Sequence, residues 1–193
     1  LGAVPQEITV LTDALDDGEK KTLWGIPYWQ GELQGKPVII AISGIGKTFT
    51  AATTTRFLTE FRPRAVLMTG TGARVNQQLR TGDIVVAEHT HEHDYGSLTD
   101  KGMRYRPMNG PVDGNEVANE FAPDGDMLDV AERAMETFEP RTVEAGGDTY
   151  RNSVRFGVVT SSDLFGVPKR RIKLLREVTI QGYFPLMLRQ RNL

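Results

Sequence analysis

The sequence predicts an α/β fold built on a mixed, largely parallel sheet. Three observations carry this prediction. Strand-like and helical stretches alternate along the chain. Ala65-Val66-Leu67-Met68 is a continuous apolar run, as expected of a strand buried on both faces. Ser43-Gly44-Ile45-Gly46-Lys47 is a tight turn between a strand and a helix, which makes strand, helix, strand a βαβ unit with a right-handed crossover.

Taken in order, Leu1-Gly2-Ala3-Val4 reads as the end of a buried strand, and the chain is expected to lack some N-terminal residues because it opens without Met. Pro5 suits a first helical turn, with Glu7 inside that turn. Residues 22–33 and 36–42 read as two strands joined by a Gln34-Gly35 hairpin turn. A helix follows to about Phe61, where Phe49, Thr53, Phe57 and Phe61 recur every four residues as one buried stripe. Pro63 stops it. After the apolar run comes a Thr69-Gly70-Thr71-Gly72 turn, then a strand from Asp83 to about His93. Residues 95–125, rich in Gly, Pro, Asp and Asn, read as a long loop, of a length usually functional or mobile. A helix at about 126–138, a strand at 154–160 and a helix at about 167–176 complete the pattern.

Composition narrows the function. The 193 residues suit one domain with a real core, and 39% hydrophobic and 25% charged residues are ordinary for a globular protein. A formal charge of -2 argues against nucleic acid or an anionic membrane as partner. With 0 cysteines there is neither a disulfide framework nor a cysteine metal site, which fits a cytoplasmic protein. No apolar run is long enough to span a bilayer, and the tail Tyr183-Phe184-Pro185-Leu186-Met187-Leu188 is far too short to do so.

Several motifs are decoys. Gly46-Lys47-Thr48 looks like the end of a phosphate-binding P-loop, but position 41 is Ala41 where the motif needs glycine. His89, His91 and His93 share a strand face, yet same-face neighbours stand about 7 Å apart, wide for ligands about 2 Å from one metal. They are expected to line a pocket or interface, with no specific metal. Trp24, Tyr28 and Trp29 read as core and hairpin packing. Lys169, Arg170, Arg171, Lys173 and Arg176 read as a solvated helix face.

Other motifs, in their order and spacing over about residues 2–176, resemble the methylthioadenosine/S-adenosylhomocysteine nucleosidases of the nucleoside phosphorylase/nucleosidase superfamily. Gly2-Ala3-Val4-Pro5-Gln6-Glu7-Ile8 resembles the family's opening, Gly31 to Lys36 its hairpin, and Ser43-Gly44-Ile45-Gly46-Lys47 its serine-glycine-isoleucine-glycine-lysine turn. Thr69-Gly70-Thr71-Gly72-Ala73 is similar to its threonine-glycine-serine-alanine-glycine loop. Gly82-Asp83-Ile84-Val85-Val86 matches a family strand, and His93-Asp94 falls where histidine-aspartate is frequent. Ser161-Ser162-Asp163-Leu164-Phe165 resembles the family's serine-glycine-aspartate-x-phenylalanine segment.

The resemblance implies a three-layer nucleoside-phosphorylase-like fold over residues 1–178, lacking the last strand and helix, with 179–193 an unmatched tail. It implies hydrolysis of an N-ribosyl bond, releasing adenine from a purine nucleoside in nucleoside catabolism and methionine salvage, with no cofactor and in a homodimer. Such cleavage passes through an oxocarbenium-like state, with an acid on the departing base and a carboxylate activating water. By resemblance, Glu7 is the water-activating base, and Thr71 and Gly72 line the sugar side. Ile45 faces the alkylthio tail, Phe165 stacks on adenine, and the backbone at Phe165-Gly166 reads its edge. The family's later valine-glutamate-methionine-glutamate motif and its acidic aspartate have no counterpart before Leu193, so hydrolysis is expected to be impaired. Two alternatives stay open: a non-catalytic nucleoside-binding module, and a phosphate-dependent phosphorylase with Arg74 and Arg80 as the basic candidates.

Overall fold

The computed structural model describes residues 1–109, 116–117, 120–164 and 168–180. The chain forms two compact units, Leu1–Gly72 and Ala73–Leu193.

In the first unit a 3-10 turn, Pro5–Glu7, runs into the short helix α1, Thr9–Asp13. Strands β1 (Asp16–Leu23), β2 (Ile26–Leu33) and β3 (Lys36–Ala41) form an antiparallel sheet in that order. The run 22–33, expected as one strand, is broken at Trp24-Gly25. Both residues adopt positive φ, 54° and 80°, and make a two-residue hairpin between Leu23 and Ile26. Gln34-Gly35, at φ 52° and 71°, makes the expected second one, the positive φ pair suiting the twist of the flanking strands. Strand β1 escaped prediction because Asp16-Asp17-Gly18-Glu19-Lys20-Lys21 is charged and exposed, with no alternating apolar face.

Helix α2, Lys47–Phe61, ends at Arg62 in a left-handed conformation just before Pro63. Its inner face carries the core. Phe57 meets the ring of Tyr28 edge-on, centroids 5.6 Å apart, beside the fully buried Ala41. Thr53 is buried and Phe61 packs against this cluster, but Phe49 is 67% exposed, so the predicted stripe begins one turn later. Trp24 is likewise no core residue. It sits 76% exposed at the hairpin tip, with the Arg56 guanidinium 3.8 Å from its ring centre.

The apolar run 65–68 is not a regular strand. It is nonetheless held like one: the Leu1 amine donates to the Leu67 carbonyl at 2.7 Å, and the Thr69 amide donates to the Leu1 carbonyl at 2.9 Å. Gly2 in turn pairs in parallel with Ile42. The opening residues therefore lie between the end of β3 and residues 67–69, all three pointing the same way.

In the second unit β4 (Ile84–Glu92) is followed by the short strands β5 (Gly96–Thr99), β6 (Gly102–Tyr105), β7 (Met108–Asn109), β8 (Glu116–Val117) and β9 (Glu120–Phe121). Helix α3 (Gly125–Glu136), the β10 (Thr142–Ala145) and β11 (Asp148–Arg151) hairpin, β12 (Val154–Ser161) and α4 (Lys169–Ile180) complete it. Strand β12 runs parallel to β4, which pairs antiparallel with β9. The fold is mixed α/β, with antiparallel pairs predominating among the described residues. Among the described residues of the segment expected as a long loop, β5 pairs antiparallel with β6 and β7 with β8. Asp124 caps α3, its carboxylate accepting from the Met127 amide at 3.1 Å. No helix among the described residues is long and apolar enough to cross a membrane.

Candidate active site

The opening segment is the anchor of the first unit's site. Gly2 donates its amide to the Ala41 carbonyl at 3.2 Å and accepts from the Ser43 amide at 2.8 Å. Ser43 is buried, and its own carbonyl accepts from the Thr53 hydroxyl of α2 at 3.2 Å. Gly2 must be glycine here: an added Cβ would lie 2.6 Å from Ile8 Cγ2 and 3.1 Å from Glu7 Cβ. Pro5 then turns the chain so that Glu7 folds back over the residues just left.

The Glu7 carboxylate is clamped from both sides. Oε2 accepts from the Ala3 amide at 2.8 Å and the Val4 amide at 3.4 Å. Oε1 accepts from the Thr71 amide at 2.8 Å and the Thr71 hydroxyl at 2.9 Å. Gly70 leaves room for this, since a Cβ there would stand 3.3 Å from Oε1. Partial burial pushes the Glu7 carboxyl up, but the bonds from Thr71, Ala3 and Val4 outweigh it and hold the group below its ordinary 4.5. An open cleft of about 290 Å³ lies over it, lined by Val4, Gln6, Glu7, Thr69, Gly70 and Thr71. Carboxylate, hydroxyl and backbone amides thus gather past the carboxyl ends of parallel segments, where open α/β sheets collect their ligands.

Of the residues expected in the site, Glu7 and Thr71 are brought into direct contact, with Gly72 next along the chain. Ile45 stands 51% exposed on the turn just past Ser43. Phe165 and Gly166 lie outside the described residues. Sequence reading assigned no role to Ala3, whose amide holds Glu7. A backbone donor leaves no mark on residue type.

In the second unit, the motifs Gly82-Asp83 and His93-Asp94 mark opposite ends of β4. Asp83 is structural: its carboxylate accepts from the Ser153 amide and hydroxyl at 2.7 and 2.9 Å and from the Arg80 amide at 2.7 Å. Burial pushes its carboxyl up, and the bonds from Arg80 and Ser153 bring it below the ordinary value. Arg80 lies over the Tyr150 ring at 4.1 Å and donates to the Arg151 carbonyl, while Arg74 donates to the Leu79 carbonyl at 2.8 Å. Both candidate phosphate ligands are thus engaged with protein groups. Arg176 is not simply solvated, because it donates to the Val75 carbonyl at 2.6 Å.

The three histidines do not share one partner. His89 meets Glu120 at 3.0 Å. His91 is buried, and burial together with nearby His93 pushes it down to about 4. No group of three or more His, Cys, Asp or Glu side chains among the described residues is placed to hold a metal.

Comparison with known proteins gives the chain's family. Residues 1–180 match the sequence model of the Phosphorylase superfamily. The 5'-methylthioadenosine/S-adenosylhomocysteine nucleosidase of Mycobacterium tuberculosis is 28% identical over 84% of this chain and 65% of its own length. That of Psychromonas ingrahamii is 29% identical over 91% of this chain and 68% of its own. The chain thus spans about two thirds of the length of these relatives. Among solved structures, the Neisseria meningitidis nucleosidase in complex with methylthio-immucillin-A is similar with a TM-score of 0.72 and 28% identity, covering 91% of this chain and 68% of its own. The Colwellia psychrerythraea nucleosidase in complex with adenine has the same TM-score at 27% identity, covering 97% and 68%. With the match running over residues 1–180, the chain belongs to the Phosphorylase superfamily.

Proposed function

We propose that this chain carries the water-activating carboxylate of a purine nucleosidase that hydrolyses the N-ribosyl bond of methylthioadenosine or S-adenosylhomocysteine and releases adenine. The observation that supports it most is the Glu7 carboxylate held between the Ala3 and Thr71 amides over an open cleft. Hydrolysis needs a fixed carboxylate that takes a proton from water as the oxocarbenium-like state forms. The bonds from Ala3 and Thr71 fix it.

They also keep it a weak base in the ligand-free state. The Thr71 hydroxyl is the adjustable partner. When a ribose hydroxyl competes for it, Oε1 loses one donor, becomes more basic and is free to accept from water. Gly72 adds no side chain beside this point, and Ile45 meets the alkylthio substituent. Phe165 and Gly166 hold the base, a role carried by the sequence resemblance.

A family match running over residues 1–180 supports one nucleoside-phosphorylase-like domain across 1–178, in three layers. A homodimer in the cytoplasm fits the exposed apolar side chains of Phe49 and Leu58 on α2 and the absence of cysteine. A phosphate-using reaction is disfavoured by the engagement of Arg74 and Arg80. The test is adenine release from methylthioadenosine by the full chain, with and without phosphate. Release indifferent to phosphate supports hydrolysis. Release that requires phosphate makes the protein a phosphorylase, and binding without release makes it a nucleoside-holding module.

A further inference from the structure

The polar side chains lining the cleft over Glu7 are those of Gln6, Glu7, Thr69 and Thr71. Glu7 is filled before any ligand arrives. Its oxygens accept from the Ala3, Val4 and Thr71 amides and from the Thr71 hydroxyl, at 2.8, 3.4, 2.8 and 2.9 Å, and an ionised carboxylate has about four acceptor sites and no donor. A nucleoside brings two adjacent ribose hydroxyls, each both donor and acceptor. A ribose hydroxyl that accepts from Thr71 still has its own proton to place, and a donor left without an acceptor weakens binding. Gln6 is the exposed middle residue of the Pro5–Glu7 turn, directly before Glu7. Among the described residues, no protein group bonds its carboxamide. That group offers a carbonyl acceptor and an NH2 donor, the complement of a vicinal diol. Thr69 offers only a short hydroxyl on a backbone tied down by its amide, which donates to the Leu1 carbonyl at 2.9 Å. An amide beside Glu7 also adds no like charge that would raise the carboxyl.

We propose that Gln6 is a ribose-binding residue, its side-chain carbonyl accepting from the sugar hydroxyl that meets Thr71. This rests on the reading that the cleft takes a nucleoside. Gln6 then discriminates ligands by their ring hydroxyls, while Glu7 keeps its protein partners until the sugar engages Thr71.

The test compares untagged full-length wild type with Gln6→Met, which keeps the length of the side chain without its polar group, and Gln6→Glu, which keeps an acceptor. Calorimetry measures the affinity of each for methylthio-immucillin-A, a non-cleavable analogue, and for its counterpart lacking both ring hydroxyls, as a cycle that isolates the contact between side chain and hydroxyls. Gln6→Met should bind methylthio-immucillin-A about fivefold to tenfold more weakly, as expected for one lost hydrogen bond, and bind the counterpart as wild type does. Gln6→Glu should recover most of the lost affinity. Both variants should keep the wild-type urea midpoint, because the position is exposed. Unchanged affinity in Gln6→Met, equal loss for both analogues, or a Gln6→Glu as weak as Gln6→Met would each overturn the proposal. A wild type that binds neither analogue would overturn the nucleoside reading together with the role of Gln6. A wild type that binds methylthio-immucillin-A through Gln6, yet releases no adenine from methylthioadenosine, would sink hydrolysis and leave the ribose contact standing.

Discussion

Glu7 Oε1 accepts two hydrogen bonds from one residue, the amide and the hydroxyl of Thr71, across 64 positions of sequence. The amide is fixed by the backbone and the hydroxyl can rotate. Removing the hydroxyl alone therefore separates holding the carboxylate from tuning it. Thr71→Val should raise the Glu7 carboxyl toward its ordinary value, seen by carboxyl-detected NMR titration, and lower adenine release roughly tenfold because the hydrogen bond to the ribose hydroxyl is lost with it. Thr71→Ser should leave both near wild type. No upward movement in Thr71→Val would show that the hydroxyl does not tune Glu7.

The closeness of Gly2 and Gly70 to the Glu7 side chain gives a steric test. Gly2→Ala puts a methyl 2.6 Å from Ile8 Cγ2, and Ile8 is buried and cannot yield freely. It should cost roughly 1–3 kcal/mol in urea unfolding, as overpacking does. Gly70→Ala meets only the Glu7 carboxylate, at 3.3 Å from Oε1. It should leave stability almost unchanged and still impair adenine release. Equal stability losses in the two variants would contradict this division.

The first unit's core offers a second stability test. Phe57 joins the rings of Tyr28 and Phe61, with centroids 5.6 and 5.5 Å away. Phe57→Ala should destabilise by about 3–5 kcal/mol, the usual cost of emptying an aromatic site. Phe49→Ala, on the exposed part of the same helix, should cost under about 0.5 kcal/mol by the same denaturation measurement.

His91 predicts a pH dependence in the second unit. Its folded pKa is pushed down to about 4 from the ordinary 6.5, by burial first and by His93 second. The unfolded chain therefore takes up the proton earlier, so stability is full above about 6.5 and declines as pH falls toward about 4. Denaturation midpoints measured across this window should fall in wild type and fall less in His91→Gln. Parallel slopes would assign the dependence to other groups.

Much of this was legible in the sequence. The Gln34-Gly35 turn, helix α2, α3 and strands β4 and β12 each announce themselves by turn chemistry or periodicity. Glu7 and Thr71 were both named as site residues, because their motifs resemble a family's. What escaped has physical reasons. Strand β1 is stabilised by pairing with β2 rather than by an apolar face, and β10 and β11 are short and exposed around a Gly146-Gly147 turn. Trp24, read together with Tyr28 and Trp29 as core and hairpin packing, lies on a hairpin but outside the core, where the positive φ it shares with Gly25 places it at the tip. The bond from the Ala3 amide was invisible because a backbone donor leaves no mark on residue type.

The central claim is that Glu7 activates water for N-ribosyl hydrolysis. Glu7→Gln keeps the shape of the side chain and removes its basicity. The decisive measurement is adenine release from methylthioadenosine by wild type and Glu7→Gln, beside binding of methylthio-immucillin-A to both. The account predicts release by wild type, a fall of at least about 100-fold in Glu7→Gln, and analogue binding retained in both. Equal release by the two proteins would contradict it.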